Sequence, residues 1–224
     1  IMKNRKNYVS IIMNCHNGER FLSESLDSVI KQSFKNWELI FYDNRSLDNS
    51  KKIFKSFKDK RFKYFKSKKF LKLYAARNEA IKKTKGAYIC FLDTDDTWHR
   101  NKLKYQIKYF KNKKCKILYS KFFIKNLTDQ KTYLNYTNNL PFGNITKALL
   151  SNYKIGILTC MIEKNIFKKH KFNSNYQIIG DFDFFLNLSL KYYIFSLNKP
   201  LACYKHHSKN LSSSRLDLYL TELY

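Results

Sequence analysis

The chain has 224 residues, 44 % of them hydrophobic, which is enough for one domain with a real core. Its 44 Lys and Arg against 17 Asp and Glu give a formal charge of +27, yet 37 of these cations are Lys and 7 are Arg, whereas dedicated phosphate and base readers lean on the bidentate Arg. Five cysteines, none paired at metal-ligand spacing, read as reduced thiols and exclude a disulfide scaffold, and no apolar run approaches the roughly 18 residues of a membrane span.

The first expected strand, 9–13, ends in the polar turn Asn-Cys-His-Asn-Gly-Glu. Phe21, Leu22, Leu26, Val29 and Ile30 then recur at helical spacing, predicting a helix over about 20–32. A second strand, 37–42, runs into Asp43, a polar loop and a helix over about 50–57. A short strand at 62–65 and a helix at 74–84 follow, the latter carrying Ala75, Ala76, Ala80 and Arg77. Next comes the apolar run 87–92, bounded by Gly86 and by Asp93, Asp95 and Asp96. A helix at 98–110 and a strand at 116–119 close this part. Alternating strands and helices indicate an α/β fold with a mostly parallel sheet and crossover helices, so three polar loops meet at the carboxyl edge, where such sheets bind ligands.

After residue 120 the pattern loosens. Residues 126–144 read as a hairpin or irregular loop, 155–162 as a strand, 182–192 as a helix and 201–204 as a last strand. No internal repeat is present, and this α+β part is expected to complete the site without forming an independent domain. The polar, basic start has no leader pattern, and Ile1 before Met2 suggests a trimmed or fragmentary chain.

Three acids at one strand end repel one another unless a cation sits among them, and Mg²⁺ is held by one or two carboxylates plus phosphate oxygens. The alternative is a helix start capped by Asp95 or Asp96. Asp43 suits a nucleoside contact or an Asx turn. Arg77, among alanines, wants an anion, either a phosphate or a carboxylate of the chain itself. Asp181 and Asp183 flank Phe182 before an apolar helix, one acid more than capping needs. His206 and His207 are adjacent, so only one can face a given site. Residues 51–72 hold eleven Lys or Arg and one acid, Asp59, with six aromatics interleaved. That stretch fits a solvated face over core aromatics that could rest on anionic lipid, and it also matches the pattern of single-strand nucleic-acid binders.

Read together, these segments resemble the family 2 glycosyltransferases of the GT-A fold. Val-Ser-Ile-Ile-Met-Asn-Cys-His-Asn-Gly-Glu is similar to the opening strand and nucleotide loop, with Asn14 where proline is usual and His16 where tyrosine is common. Tyr-Asp-Asn-Arg-Ser-Leu-Asp-Asn-Ser resembles the Asp-Asp-Gly-Ser-Thr-Asp-x-Thr loop, and of its acids only Asp43 carries over. Ala-Ala-Arg-Asn-Glu-Ala matches the segment whose Arg approaches the donor phosphates. Leu-Asp-Thr-Asp-Asp-Thr-Trp is similar to the Asp-x-Asp motif, Gly-Asp-Phe-Asp-Phe-Phe-Leu to the Glu-Asp-x-Asp segment with Gly180 replacing the glutamate, and Tyr-Lys-His-His-Ser-Lys-Asn-Leu-Ser to the closing Tyr-Arg-x-His motif, aligning His207.

The resemblance implies an inverting, metal-dependent transferase that moves a sugar from a nucleotide sugar, UDP-linked, to a glycan or lipid-linked acceptor in bacterial surface polysaccharide synthesis. It implies donor contacts from Asn14, His16, Asn17, Glu19, Asp43, Arg77, Asp93 and Thr94. It also implies Mn²⁺ or Mg²⁺ held by Asp95, Asp93 and His207, and a base at Asp181 with Asp183 in reserve. Residues 8–120 are the expected donor half and 121–224 the acceptor half of a single GT-A domain, in a cytoplasmic protein that could lie on the inner face of the membrane. Two alternatives stand: a haloacid-dehalogenase-like phosphatase, because Asp-Thr-Asp-Asp-Thr fits that nucleophile motif, and a non-enzymatic nucleic-acid binder.

Overall fold

The computed structural model describes residues 7–112, 115–211 and 221–222. Strands β1 (Val9–Cys15), β2 (Trp37–Asp43), β3 (Phe62–Lys66) and β4 (Tyr88–Phe91) form the parallel half of the sheet. Helices α1 (Glu19–Ile30), α2 (Ser50–Ser56) and α3 (Leu73–Lys82) cross between them. β1, β2 and β4 are largely buried, mostly apolar runs, as expected where helices cover both faces, whereas β3 at the sheet edge carries Lys63 and Lys66 and is only partly buried. β1 and β2 are almost wholly buried, and their alternating side chains divide between two cores.

The rest of the sheet is mixed. β5 (Thr97–Trp98), helix α4 (Lys102–Asn112), β6 (Ile117–Asn126), β7 (Thr132–Leu134), helix α5 (Thr146–Ser151), β8 (Met161–Glu163), helix α6 (Ile166–Lys169), helix α7 (Gly180–Ser189) and β9 (Phe195–His206) follow in order. Among the described residues the sheet order is β3-β2-β1-β4-β8-β6-β9-β5, with β7 on β6. β8 runs antiparallel to β4 and β6, and β9 parallel to β6 with register shifts near Ser120 and Lys121.

Three boundaries differ from the sequence expectation. Thr97 and Trp98 are not the start of α4 but a two-residue strand paired with Cys203 and Ala202, so the acids before them do not cap that helix. The apolar run 155–162 is interrupted by a 3-10 turn, Ile157–Thr159, because the Gly156 carbonyl accepts both the backbone N–H and the hydroxyl of Thr159. The last strand extends over Phe195–His206, and the 126–144 region is a hairpin at its start, β6 with β7, followed by irregular chain. The stretch 51–72 has Phe54 and Phe62 in the core while its lysines are exposed, the solvated face expected.

Candidate active site

The loops after β1, β2 and β4 meet β9 and the segment before α7 around a cavity of about 630 Å³. Asn14, His16, Asn44, Arg77, Asp93, Thr94, Asp95 and Asp181 all line it. A second cavity of about 560 Å³ shares His16, Thr94 and Asp95 and continues past the start of α1.

Arg77 projects from α3 and is only 3 % exposed; its Nη2 donates to both Asp93 oxygens, at 2.9 and 3.1 Å. Burial works against its charge, but Asp93, then Tyr74 and Asp181, outweigh it and hold the guanidinium protonated. Arg77 has thus found a carboxylate of its own chain, and that carboxylate faces the cavity.

Asp95 meets the far end of the chain. Its Oδ2 is 3.1 Å from His207 Nε2 and accepts from Asn210 Nδ2 at 3.2 Å. Burial and then the Asp93 charge raise the Asp95 carboxyl above its ordinary range. Asp96 is 2 % exposed and accepts the Lys205 backbone N–H at 3.0 Å, which fastens the acidic loop to β9. Burial, then Asp95 and Asp93, push it well up. His207 is on the site and stacks on Phe21; His206 ends β9.

Asp181, in the first turn of α7, accepts from Tyr74 Oη at 3.2 Å and from the Phe182 N–H at 2.9 Å. Burial raises its carboxyl, against the Arg77 charge and those two hydrogen bonds. Asp183 lies elsewhere. It bonds Asn187 one turn on and lines neither cavity, because residues two apart on a helix point to different faces.

Three expected donor contacts are engaged with the protein itself, Asp43 buried and Asn17 and Glu19 exposed. Asp43 is 1 % exposed, accepts the Ser46 N–H at 2.8 Å and the Tyr64 hydroxyl, and lines neither cavity, so its carboxylate shapes the β2 loop as an Asx turn and leaves the cavity wall to Asn44. Asn17, at φ 54°, accepts the Leu47 N–H, while Glu19 accepts from both nitrogens of Asn49 and its own N–H goes to Asp48. These two staple the β1 loop to the β2 loop at the rim of the second cavity. Gly18 is needed there, since a Cβ would lie 2.7 Å from Thr94 Oγ1.

Asn14 is different: both amide atoms are buried without a hydrogen-bond partner, and the residue lines the main cavity. Residues not singled out from the sequence include Asn44, Phe70, Tyr74 and Asn210. Asn210 had a signal in its place three residues after His207; Tyr74, in an alanine-rich helix, reads as packing.

Among the described residues no three His, Cys, Asp or Glu side chains form a metal-holding group. Asp95 and His207 bring a carboxylate oxygen and an imidazole nitrogen within 3.1 Å of each other from separate elements, and the carboxylate is of the type that a hard divalent cation takes together with phosphate and water.

Comparison with known proteins gives the family and the fold. The family described as Glycosyl transferase family 2 matches residues 10–171. The Escherichia coli protein named UDP-Glc:alpha-D-GlcNAc-diphosphoundecaprenol beta-1,3-glucosyltransferase WfgD is 31 % identical over 92 % of the chain and 79 % of its own length. TuaG of Bacillus subtilis, a putative teichuronic acid biosynthesis glycosyltransferase, is 27 % identical over 96 % and 85 %. The crystal structure of S. aureus TarS residues 1–349 superposes with a TM-score of 0.72 at 20 % identity, over 88 % of this chain and 60 % of that one, and shares the GT-A fold. The phosphatase and nucleic-acid alternatives are thereby set aside. A match running from β1 through α6, with a relative so similar along nearly the whole length, makes this chain a member of glycosyl transferase family 2 and a glycosyltransferase.

Proposed function

We propose that this protein transfers a sugar, with inversion, from a UDP-linked donor to a hydroxyl of a lipid-linked glycan in surface polysaccharide assembly. One observation carries the reading: a single cavity gathers Asn14, the Arg77–Asp93 pair, Asp95 and Asp181. The name of WfgD and the UDP-GlcNAc complex of TarS support the donor and acceptor classes, and the name of TuaG supports a role in surface polysaccharide assembly. Residues 8–120 then form the donor half and 121–224 the acceptor half.

In this mechanism Asp181 takes the proton of the acceptor hydroxyl as its oxygen bonds to the anomeric carbon and the bond from that carbon to the diphosphate breaks. Arg77, with Asp93 orienting it, supplies fixed positive charge where the departing diphosphate becomes more negative. Asn14 offers a donor and an acceptor to the polar edge of the nucleoside, a pairing that would satisfy its two orphaned atoms. His16, Asn44 and Thr94 also line the cavity. Asp95 and His207, with Asp93 beside them, would hold Mn²⁺ or Mg²⁺, which would supply Lewis-acid stabilisation of the leaving phosphate, and Asp93 could also contact the ribose.

The test incubates the protein with UDP-glucose or UDP-GlcNAc and a synthetic N-acetylglucosaminyl diphospholipid, with Mn²⁺ and with EDTA. UDP release coupled to a longer glycolipid is expected with Mn²⁺ and not with EDTA. Full turnover in EDTA would remove the metal role, and release of phosphate from simple phosphomonoesters instead would overturn the transferase reading.

A further inference from the structure

Helix α7 begins on Gly180, and the space a side chain would need there is filled from another element. A Cβ at position 180 would lie 2.5 Å from two ring carbons of Tyr74 and 2.7 Å from a third. Contacts so close do not occur, so the glycine is what lets the Tyr74 ring stand against the first turn of α7. Where the resembling motif has a glutamate beside the aspartate, this chain has a phenol reaching in from α3.

The hydroxyl of that phenol is used. Tyr74 is 2 % exposed, and its Oη lies 2.9 Å from the Ile178 carbonyl and 3.2 Å from Asp181 Oδ1. A hydroxyl has one proton to donate and can also accept. Beside an ionised Asp181 the proton points to the carboxylate. Once Asp181 carries a proton, its own O–H can point to Tyr74 Oη while the Tyr74 proton turns to the Ile178 carbonyl. The two acceptors around one hydroxyl therefore provide a partner for the aspartate in both of its protonation states, and neither state leaves a buried donor unpaired.

We propose that Tyr74 is a positioning residue for Asp181, holding its carboxylate toward the acceptor hydroxyl and receiving the O–H that forms when Asp181 takes the proton. This rests on the reading of Asp181 as the base. The segment beside the pair is held by a third element: the Glu222 carboxylate accepts the N–H groups of Gln177, Ile178 and Ile179, at 2.6, 2.9 and 3.1 Å, next to the carbonyl Tyr74 uses. The other titratable and charged groups around Asp181 are Arg77 from α3, the buried phenol of Tyr153 and the thiol of Cys160.

Tyr74→Phe deletes the hydroxyl and keeps the ring. With UDP-glucose and the synthetic diphospholipid, its kcat should fall about tenfold with donor KM unchanged, and the acid limb of its pH profile should move up by about 1 pH unit, because the ionised carboxylate loses a donor. A carbon-13 titration of the Asp181 carboxyl, its resonance marked by its loss in Asp181→Asn, reads the same shift without substrate. Gly180→Ala, which displaces the ring but leaves the hydroxyl, should give a similar kcat loss in the native background and little more in Tyr74→Phe. Coupling of this kind would follow from any contact between the two residues, so the acid limb and the carboxyl titration are the readouts that a merely structural role would not move. An unmoved acid limb and carboxyl titration in Tyr74→Phe would overturn the proposal. If Asp181→Asn is dead while Tyr74→Phe is normal, the base assignment stands and only this inference falls. If Asp181→Asn keeps native turnover, both fall.

Discussion

Two carboxylates in one turn, Asp181 and Asp183, differ in what they can reach, and the helix makes the difference. Asp181→Asn should lower turnover about 10²- to 10⁴-fold with donor affinity nearly unchanged, while Asp183→Asn, which loses a surface bond to Asn187, should stay near native. The pH dependence follows from burial. The Asp181 carboxyl is raised above the ordinary range, and a base works only when ionised, so kcat should climb with pH through that raised pKa and be lost below it. A profile flat down to the ordinary carboxylate range would contradict the assignment. Asp95→Asn removes a charge from the Asp95–His207 pair, and both Mn²⁺-stimulated turnover and the rise in melting temperature on adding Mn²⁺ should disappear. The acids after β4, Arg77 and His207 were legible because unpaired charge beside an apolar strand or helix is costly and so points to a site. Asp43 was open between a nucleoside contact and an Asx turn, and it makes the turn. Its partner Tyr64 comes from β3, and no local pattern announces a phenol that will take up an acid's free oxygen. Tyr74 was hidden the same way, since its hydroxyl partners lie more than 100 residues along the chain.

The elements that carry the site are themselves tied by buried polar groups. Glu38 in β2 is 2 % exposed, and its Oε1 accepts the Ser10 hydroxyl at 2.7 Å and the Lys85 N–H at 2.6 Å; Ser10 Oγ in turn accepts the Gly86 N–H. One carboxylate thus joins β1, β2 and the entry to β4. Glu38→Ala would leave these donors unpaired and should cost about 2–3 kcal/mol in urea unfolding, whereas Glu38→Gln keeps an acceptor oxygen and should cost less. The parallel half was readable because β1, β2 and β4 are short, mostly apolar runs ended by polar loops, with helical periods between them. The second half was less so. Thr97 and Trp98 continue a helical apolar pattern, yet they pair with β9, and the Trp98 indole N–H donates to the Leu158 carbonyl at 2.8 Å. The expected last strand, 201–204, starts only after Asn198, Lys199 and Pro200, which interrupt the apolar pattern. In the fold the register shifts near Lys121 absorb that break, and β9 runs through it.

At the scale of the whole molecule, a charge of +27 remains that the site does not use. No helix among the described residues is long and apolar enough to cross a membrane. Between 51 and 72, Phe54 and Phe62 are inside while Lys51, Lys52, Lys55, Lys58, Lys60 and Lys63 are all exposed, so the cations form an outer face over an aromatic floor. A lipid-linked acceptor, as proposed, would have to be met at a bilayer. Each Lys near an anionic surface contributes about 1 kcal/mol, and the attraction decays within a Debye length, about 10 Å at 0.1 M salt and about 3 Å at 1 M. Several such residues acting together suffice for reversible docking without any inserted segment. The protein should therefore float with vesicles containing anionic phospholipid at low salt and be released as salt rises toward 1 M. Replacing Lys51, Lys52, Lys55 and Lys58 by Ser should weaken flotation while leaving turnover of a water-soluble acceptor analogue unchanged, because none of the four lines either cavity. Equal flotation with neutral vesicles would show that charge is not what brings the chain to lipid, and an unchanged salt dependence in the fourfold variant would move the contact to another face.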